Sequence, residues 1–205
     1  IHCVSIPRDT LVNVKRKVKK VNAAYNLGGS RQLAAEISDM LGVPVDFTVQ
    51  INLKGFVELV DAIGGVDFSI PVNMDYDDPT QNLSIHFKKG MRHLGGRDAI
   101  KVVRFRHNND GTGYGTEDIG RIGTQQEFLK AVAKQTLTLS NLDKVSSLAK
   151  IFQKYVDTDL TVGNLAWLGK EAVTIGSDHI SFATLPGDGA GYYKGISYYT
   201  LDPDE

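Results

Sequence analysis

Two hydrophobic rhythms alternate along this chain of 205 residues, and they restrict its fold more than any other feature. Apolar residues at every second position face one side of a sheet, whereas a spacing of three or four marks one face of a helix. Residues 1–6 read as a buried strand closed by Pro7, which cannot donate to a ladder. Ser30 predicts the N-cap of a helix whose apolar positions are Leu33, Ala34, Ile37, Met40 and Leu41, with Gly42 as its stop. Val45, Phe47, Val49 and Ile51 alternate as a strand; Phe56, Leu59, Val60 and Ile63 have helical spacing ahead of Gly64-Gly65. Val66, Phe68 and Ile70, then Leu83, Ile85 and Phe87, predict two further strands. Helices are expected over 97–104, from a Thr116 cap to about 138, around Val145, Leu148, Phe152 and Val156, and over 162–174. A last strand is expected from Ile180 to Leu185. Strands alternating with helices predict the α/β class. The simplest arrangement is a single-domain α/β/α sandwich over residues 1–205, a mixed central sheet with helices on both faces.

Composition removes several classes. A formal net charge of -1 argues against a protein that coats nucleic acid over its whole surface. An apolar fraction of 41% is too high for a disordered chain. No stretch approaches the roughly 18 consecutive apolar residues of a membrane helix. Cys3 is the one cysteine, so no intrachain disulfide forms, and its apolar setting reads as a small hydrophobe rather than a nucleophile. The chain opens inside an apolar run with no initiator methionine, so a segment upstream of residue 1 is expected.

The informative anomaly lies in Asp118-Ile119-Gly120-Arg121-Ile122-Gly123-Thr124-Gln125. At about 100° per residue, Asp118, Arg121 and Gln125 share one stripe with Leu129, Val132 and Thr136. The face expected to enter the core thus carries an acid, a guanidinium and an amide. Burying such groups without partners costs several kcal/mol each. Two readings stay open: an internal Asp118–Arg121 salt bridge at a helix start, or groups held ready for a ligand. Arg104 and Arg106 flank Phe105, so on extended backbone they point to one side, where like charges repel unless an anion sits between them. Arg8 and Asp9 directly follow the first strand, where α/β sheets bind ligands. If the segments converge, Arg8, Arg104, Arg106 and Arg121 meet around Gln125 as a phosphate or pyrophosphate pocket, because guanidinium forks match phosphate oxygens.

These blocks resemble the LytR-CpsA-Psr family. Ser5-Ile6-Pro7-Arg8-Asp9-Thr10, then Lys20-Val21-Asn22-Ala23-Ala24-Tyr25 with Gly28-Gly29, are similar to its opening motifs. Gly55 to Val66 matches the middle block, and Gly90, Leu94-Gly95-Gly96, the Arg104/Arg106 pair and Asp118-Ile119-Gly120-Arg121 with Gln125-Gln126 follow in the family's order. The likeness spans roughly residues 1–138. Residues 141–205 match less distinctly, mainly at Leu185-Pro186-Gly187.

The resemblance implies a bacterial phosphotransferase. It would move a glycopolymer (teichoic acid, capsular or other wall polysaccharide) from a polyprenyl-pyrophosphate carrier to a peptidoglycan hydroxyl. It also implies a catalytic domain on the extracellular face of the cytoplasmic membrane, held by one N-terminal anchor. By the same resemblance Arg8, Lys20, Arg104, Arg106, Arg121 and Gln125 hold the pyrophosphate, and Asp118 orients Arg121 or acts as base toward the acceptor. Asp9 would partner a neighbouring arginine, and Arg8, Asp9, Arg106, Asp118 and Arg121 form the expected catalytic set. Mg2+ is the implied cofactor, but the family's metal-binding aspartates belong to blocks upstream of this chain, which leaves the ligand set unknown. Thr124 stands where many members carry an arginine, and the loop from His107 to Glu117 is longer than usual. A different class also accounts for the blocks: a non-catalytic module binding polyprenyl phosphate or pyrophosphate. A regulator that binds nucleic acid is disfavoured by the balanced charge and by the lack of an evident helix-turn-helix.

Other features have plainer readings. The basic run from Lys15 to Lys20 reads as a solvated hairpin surface, with attraction to anionic lipid or wall polymer as the alternative. Asp75, Asp77 and Asp78 read as a turn ending at Pro79, since their spacing is not that of a calcium loop. His86 and His93 lack the spacing of metal ligands. Tyr192, Tyr193, Tyr198 and Tyr199 read as surface packing, with stacking on sugar as the alternative.

Overall fold

The computed structural model describes residues 1–115, 118–138 and 145–202, with Asp118 described by its backbone only. Thr116, the expected cap, lies outside the described residues. In chain order the elements are β1 (His2–Ser5), α1 (Ala23–Leu41), β2 (Val49–Ile51), α2 (Leu53–Ala62), β3 (Val66–Ile70), β4 (Met74–Asp78), β5 (Leu83–Phe87) and β6 (Gly90–Leu94). There follow α3 (Gly96–Arg104), α4 (Asp118–Thr136), α5 (Val145–Tyr155), β7 (Val156–Thr158), α6 (Val162–Ile175), β8 (Ser181–Thr184), β9 (Gly187–Tyr193) and β10 (Ile196–Leu201). The class is α/β with both parallel and antiparallel pairing, and among the described residues the strands pair as two-stranded ladders. Contacts divide the chain into two compact units, the first built from Ile51–Asp157 with Thr161–Ile180, the second from His2–Gln50, Thr158–Leu160 and the chain from Ser181.

The first unit has the larger core. β3 alternates buried and exposed as its sequence requires, and it pairs antiparallel with β6, Val66 opposite Leu94. Asn52 caps α2 by accepting from the Gly55 amide at 2.7 Å. Phe128 of α4 is 1% exposed and packs between Phe56 and Phe68, with ring centroids 5.7 and 5.5 Å away. Removing that ring would cost about 3–5 kcal/mol. α3 lies close on α2 because Gly96 has no side chain: a Cβ there would sit 2.2 Å from the Val57 carbonyl.

The segment read as a turn at Asp75, Asp77 and Asp78 is instead β4, followed by a 3-10 turn that Asp78 caps. It is a strand because Met74 is buried and Tyr76 half-buried on its inner face. Asp75 and Asp77, which face outward, meet His86 of the paired β5 at 2.7 and 3.2 Å.

In the second unit β1 pairs parallel with β8, bringing Cys3 opposite Phe182; Cys3 is half-buried rather than buried. α1 begins before the expected Ser30 cap and kinks at Gly28–Gly29, where Gly29 takes φ 66°; it ends at left-handed Gly42, as expected. β8 is not the last strand. β9 and β10 form an antiparallel hairpin beyond it.

Candidate functional site

Arg104 is the final residue of α3, so it is helical and not on the extended backbone expected for it. The two arginines still emerge together, because Phe105 leaves the helix at φ -59° and ψ 140° and buries its ring to 1% exposure. Arg104 and Arg106 both line a pocket of about 360 Å3, to which α4 adds Arg121 and Gln125. Gln125 Nε2 donates to the Val103 carbonyl at 2.9 Å, tying α4 to the end of α3. Arg104 Nη2 donates to Gln81 Oε1 at 2.8 Å, a neutral acceptor that leaves its charge uncompensated by that bond. Among the described lining residues there is no carboxylate. Three guanidiniums in one concavity raise the local potential and suit a multiply charged anion with paired oxygens.

The stripe expected to enter the core does so only in part, where Val132 packs against it. The buried face of α4 carries Thr124 and Phe128, while Leu129, on the stripe, is 51% exposed. The helix turns this way because Phe128 fills the gap between Phe56 and Phe68. The stripe therefore runs largely beside the core. Its start supplies Arg121 and Gln125 to the polar pocket. Its end supplies Val132 and Thr136 to a second pocket of about 360 Å3, apolar in lining, with Leu59 of α2, the Ile63 that follows it, and Leu148 and Phe152 of α5. The side chain of Asp118 lies outside the described residues, so its expected part stays with the resemblance.

Sequence reasoning missed Tyr114. Its hydroxyl is hydrogen-bonded to Thr124 Oγ1 at 2.7 Å, and Thr124 Oγ1 also meets the Gly120 carbonyl at 3.1 Å. The ring packs edge-on against Phe105 at 5.4 Å, and its Cγ lies only 2.4 Å from where a Gly120 Cβ would sit. Burial raises the phenol pKa and keeps it neutral. Thr124 thus occupies a place where an arginine would have to displace a half-buried phenol. The signal in the sequence is the small residue at Gly120, one turn before Thr124.

Arg8, Asp9 and Lys20 belong to the second unit and are described there alone. Thr10 closes a tight turn after β1 by bonding back to the Pro7 carbonyl from both its amide, at 3.0 Å, and its hydroxyl, at 2.6 Å. That turn presents exposed Arg8, whose Nε is 3.6 Å from Asp9 Oδ1. Lys20 Nζ is nearer, 2.9 Å from Asp9 Oδ2, so one carboxylate serves two cations. The basic run is less solvated than expected. Arg16 turns inward to pair with buried Glu36 and to donate to the Lys20 carbonyl.

A magnesium ion asks for several hard oxygen ligands. Among the described residues no group of three His, Cys, Asp or Glu is assembled, and Asp9 is engaged by Lys20 and Arg8. The described residues assemble no all-protein Mg2+ cage, and a Mg2+ held largely by pyrophosphate oxygens would need none.

Comparison with known proteins agrees with the motif order. Residues 1–205 match the LytR_cpsA_psr family. The chain is 34% identical over 198 residues to the polyisoprenyl-teichoic acid–peptidoglycan teichoic acid transferase TagU of Bacillus cereus, covering 96% of this chain and 61% of that protein. It is 30% identical over 207 residues to the corresponding transferase TagV of Bacillus subtilis, covering 98% of this chain and 51% of TagV. It spans about three fifths of the length of the first of these relatives. Among solved structures, B. subtilis TagV superposes with a TM-score of 0.80 at 27% identity, covering 98% of this chain and 77% of TagV. A protein from Enterococcus faecalis described as a transcriptional regulator superposes with a TM-score of 0.77 at 25% identity, covering 99% and 72%.

Proposed function

Because the chain belongs to the LytR-CpsA-Psr family, we propose that it is the transferase domain of an enzyme that moves a polyprenyl-pyrophosphate-linked teichoic acid onto peptidoglycan. One observation carries this reading. A single face of α4 presents Arg121 and Gln125 to a cationic pocket and, further along, Val132 and Thr136 to an apolar one. Their separation along the helix, about 16 Å of rise, suits an amphiphile with a pyrophosphate head and a prenyl tail. Arg104, Arg106 and Arg121 would hold the pyrophosphate and take up the charge that develops as its bridge breaks. The acceptor oxygen attacks the phosphorus that bears the glycan. A phosphodiester forms, the bond to the second phosphate breaks, and polyprenyl phosphate departs with that electron pair. The hydroxyl proton passes to a base, the part the resemblance gives Asp118. Positioning and charge supply most of the rate in such transfers.

The acceptor lies outside the cell, so the reading extends to an extracellular domain held at the membrane by an N-terminal anchor. Mg2+, and capsular or other wall polysaccharides as alternative donors, belong to the same proposal. No helix among the described residues is long and apolar enough to cross a membrane. The second reading, a non-catalytic module that binds polyprenyl phosphate or pyrophosphate, is favoured by one observation: no carboxylate is among the described residues of the pocket. Release of polyprenyl phosphate separates the two. With lipid-linked glycan, peptidoglycan and Mg2+ present, the full-length enzyme is expected to release it only when acceptor is added. Tight lipid binding without release would return the binding module. Arg8→Ala tests the resemblance for the second unit, and unchanged turnover would remove Arg8 from the set.

A further inference from the structure

Two features with plain readings in the sequence meet in the second unit. The basic run ends beside the β9–β10 hairpin, where the Lys19 amide donates to the hydroxyl of buried Tyr198 at 3.1 Å. Lys19 Nζ lies 5.6 Å from the centre of the Tyr193 ring, and Lys194 Nζ lies 5.4 Å from the same centre. One ring therefore gathers two ammonium groups, whose mutual repulsion is offset by the ring's negative face. Lys15, Lys17 and Lys194 are exposed, and Tyr192 stands 76% exposed at the end of β9.

The hairpin tip adds an independent sign. Ile196 pairs with Tyr193, so Lys194-Gly195 forms a two-residue turn, and both residues have positive φ, 49° and 77°. Such turns favour asparagine or aspartate before glycine, because their short polar side chains hydrogen-bond locally on a backbone whose Cβ crowding strains other residues. Here a lysine takes that backbone, and its charge is held at the outermost point of the hairpin.

We propose that the run from Lys15 to Lys19 and the tip at Tyr192, Tyr193 and Lys194 form a docking surface for a flexible polyanion of sugars and phosphodiesters, the polymer part of the donor. The ammonium groups match phosphates spaced along a chain, and Tyr192 offers its hydroxyl and ring edge to sugar and polyol. Charge complementarity selects this occupant. A lipid bilayer calls for protruding aliphatic anchors, and Val18, 40% exposed, is the exposed aliphatic residue of these two segments. A nucleic-acid strand needs free ring faces for stacking, and Tyr193 already holds two lysines. The identity of the polymer rests on the function proposed above; the surface itself does not.

The test uses the full-length protein in detergent and lipid-free poly(glycerol phosphate) teichoic acid as the probe. Binding should weaken steeply with salt. The double variant Lys19→Gln/Lys194→Gln should lower affinity at least tenfold and flatten the salt dependence. Tyr193→Phe should keep binding, since the ring face remains, whereas Tyr193→Leu should lose most of it. In turnover, the double variant should raise KM for a donor with its full polymer and leave a donor truncated to its linkage sugars unchanged. Equal polymer binding by wild type and double variant would overturn the proposal. So would binding to phosphatidylglycerol vesicles, lost in the variant, with none to free polymer. Polymer binding lost in the variant, with no transfer by the wild type, would uphold the surface while removing the catalytic reading.

Discussion

Arg121 lay between two readings in the sequence, an internal ion pair with Asp118 or a contact kept for a ligand. Its side chain is half-buried and lines the cationic pocket rather than the core. Arg121→Ala and Arg106→Ala are therefore expected to leave melting within about 1 kcal/mol of wild type. Each would weaken binding of a prenyl pyrophosphate by about 3 kcal/mol, roughly a hundredfold. Calorimetric titration beside a thermal melt reads both; collapse of the melt with binding intact in the folded fraction would return the ion-pair reading. A buried ion pair of the second unit joins Arg16 to Glu36, 8% exposed. The Arg16 hydrogen bond outweighs burial and holds the Glu36 carboxyl below its ordinary value of 4.5. A lowered pKa in the folded state contributes stability above pH 4.5 that is lost as pH falls through the folded value. Acid unfolding of the second unit should thus begin below pH 4.5, and Glu36→Gln should flatten that part of a stability-against-pH curve. An unaltered acid limb in the variant would show that other carboxylates govern it.

The free edge of β4 is closed by side chains. Its outward amides, those of Asp75 and Asp77, donate to Asn108 Oδ1 at 2.7 Å and Asn109 Oδ1 at 2.6 Å, so two asparagines stand in for a neighbouring strand. They also fix the start of the long loop that leads from Arg106 to α4. Asn108→Ala/Asn109→Ala is expected to speed hydrogen exchange at the Asp75 and Asp77 amides at least tenfold while the β3–β6 ladder keeps its protection. Unchanged exchange at the Asp75 and Asp77 amides would mean the clip contributes nothing local. β4 also shows why some elements were legible and others not. β3 and β5 could be read because their inner faces are unbroken alternations of Val, Phe, Ile and Leu. β4 spells Met-Asp-Tyr-Asp-Asp, with turn-forming acids that become strand residues once His86 and Ser84 across the ladder meet them. β9 reads Gly-Asp-Gly-Ala-Gly before its tyrosines, with no apolar period at all, and only pairing with β10 identifies it. The same limit applied to the site: residue types and their order were visible in Arg104, Arg106, Arg121 and Gln125. The rotation of α4 that puts its stripe beside the core depends on Phe128 finding Phe56 and Phe68, a tertiary fact.

For the whole molecule, a net charge of -1 averages over a pocket lined by three arginines. The hydrophobic residues are likewise unevenly used, since Leu59, Leu148 and Phe152 line an apolar cavity. Both pockets belong to the first unit and both are lined by α4. A ligand that fills one pocket gains only that pocket's contacts, while an amphiphile spanning both also links α4 to α2, α3 and α5. Binding to the folded state raises stability by about 2.7 kcal/mol at a hundred times Kd. In a chain of this size that lifts Tm by roughly 5–10 °C. Geranylgeranyl pyrophosphate is therefore expected to raise Tm by more than the summed effects of inorganic pyrophosphate and geranylgeraniol at equal concentrations. Arg121→Ala should abolish that surplus while keeping the small effect of the alcohol. A Leu148→Lys variant should do the reverse, retaining the pyrophosphate effect and losing the prenyl one. If the shifts for the intact lipid merely equal the larger of the two parts, the pockets act separately, and the amphiphile reading of α4 fails with them.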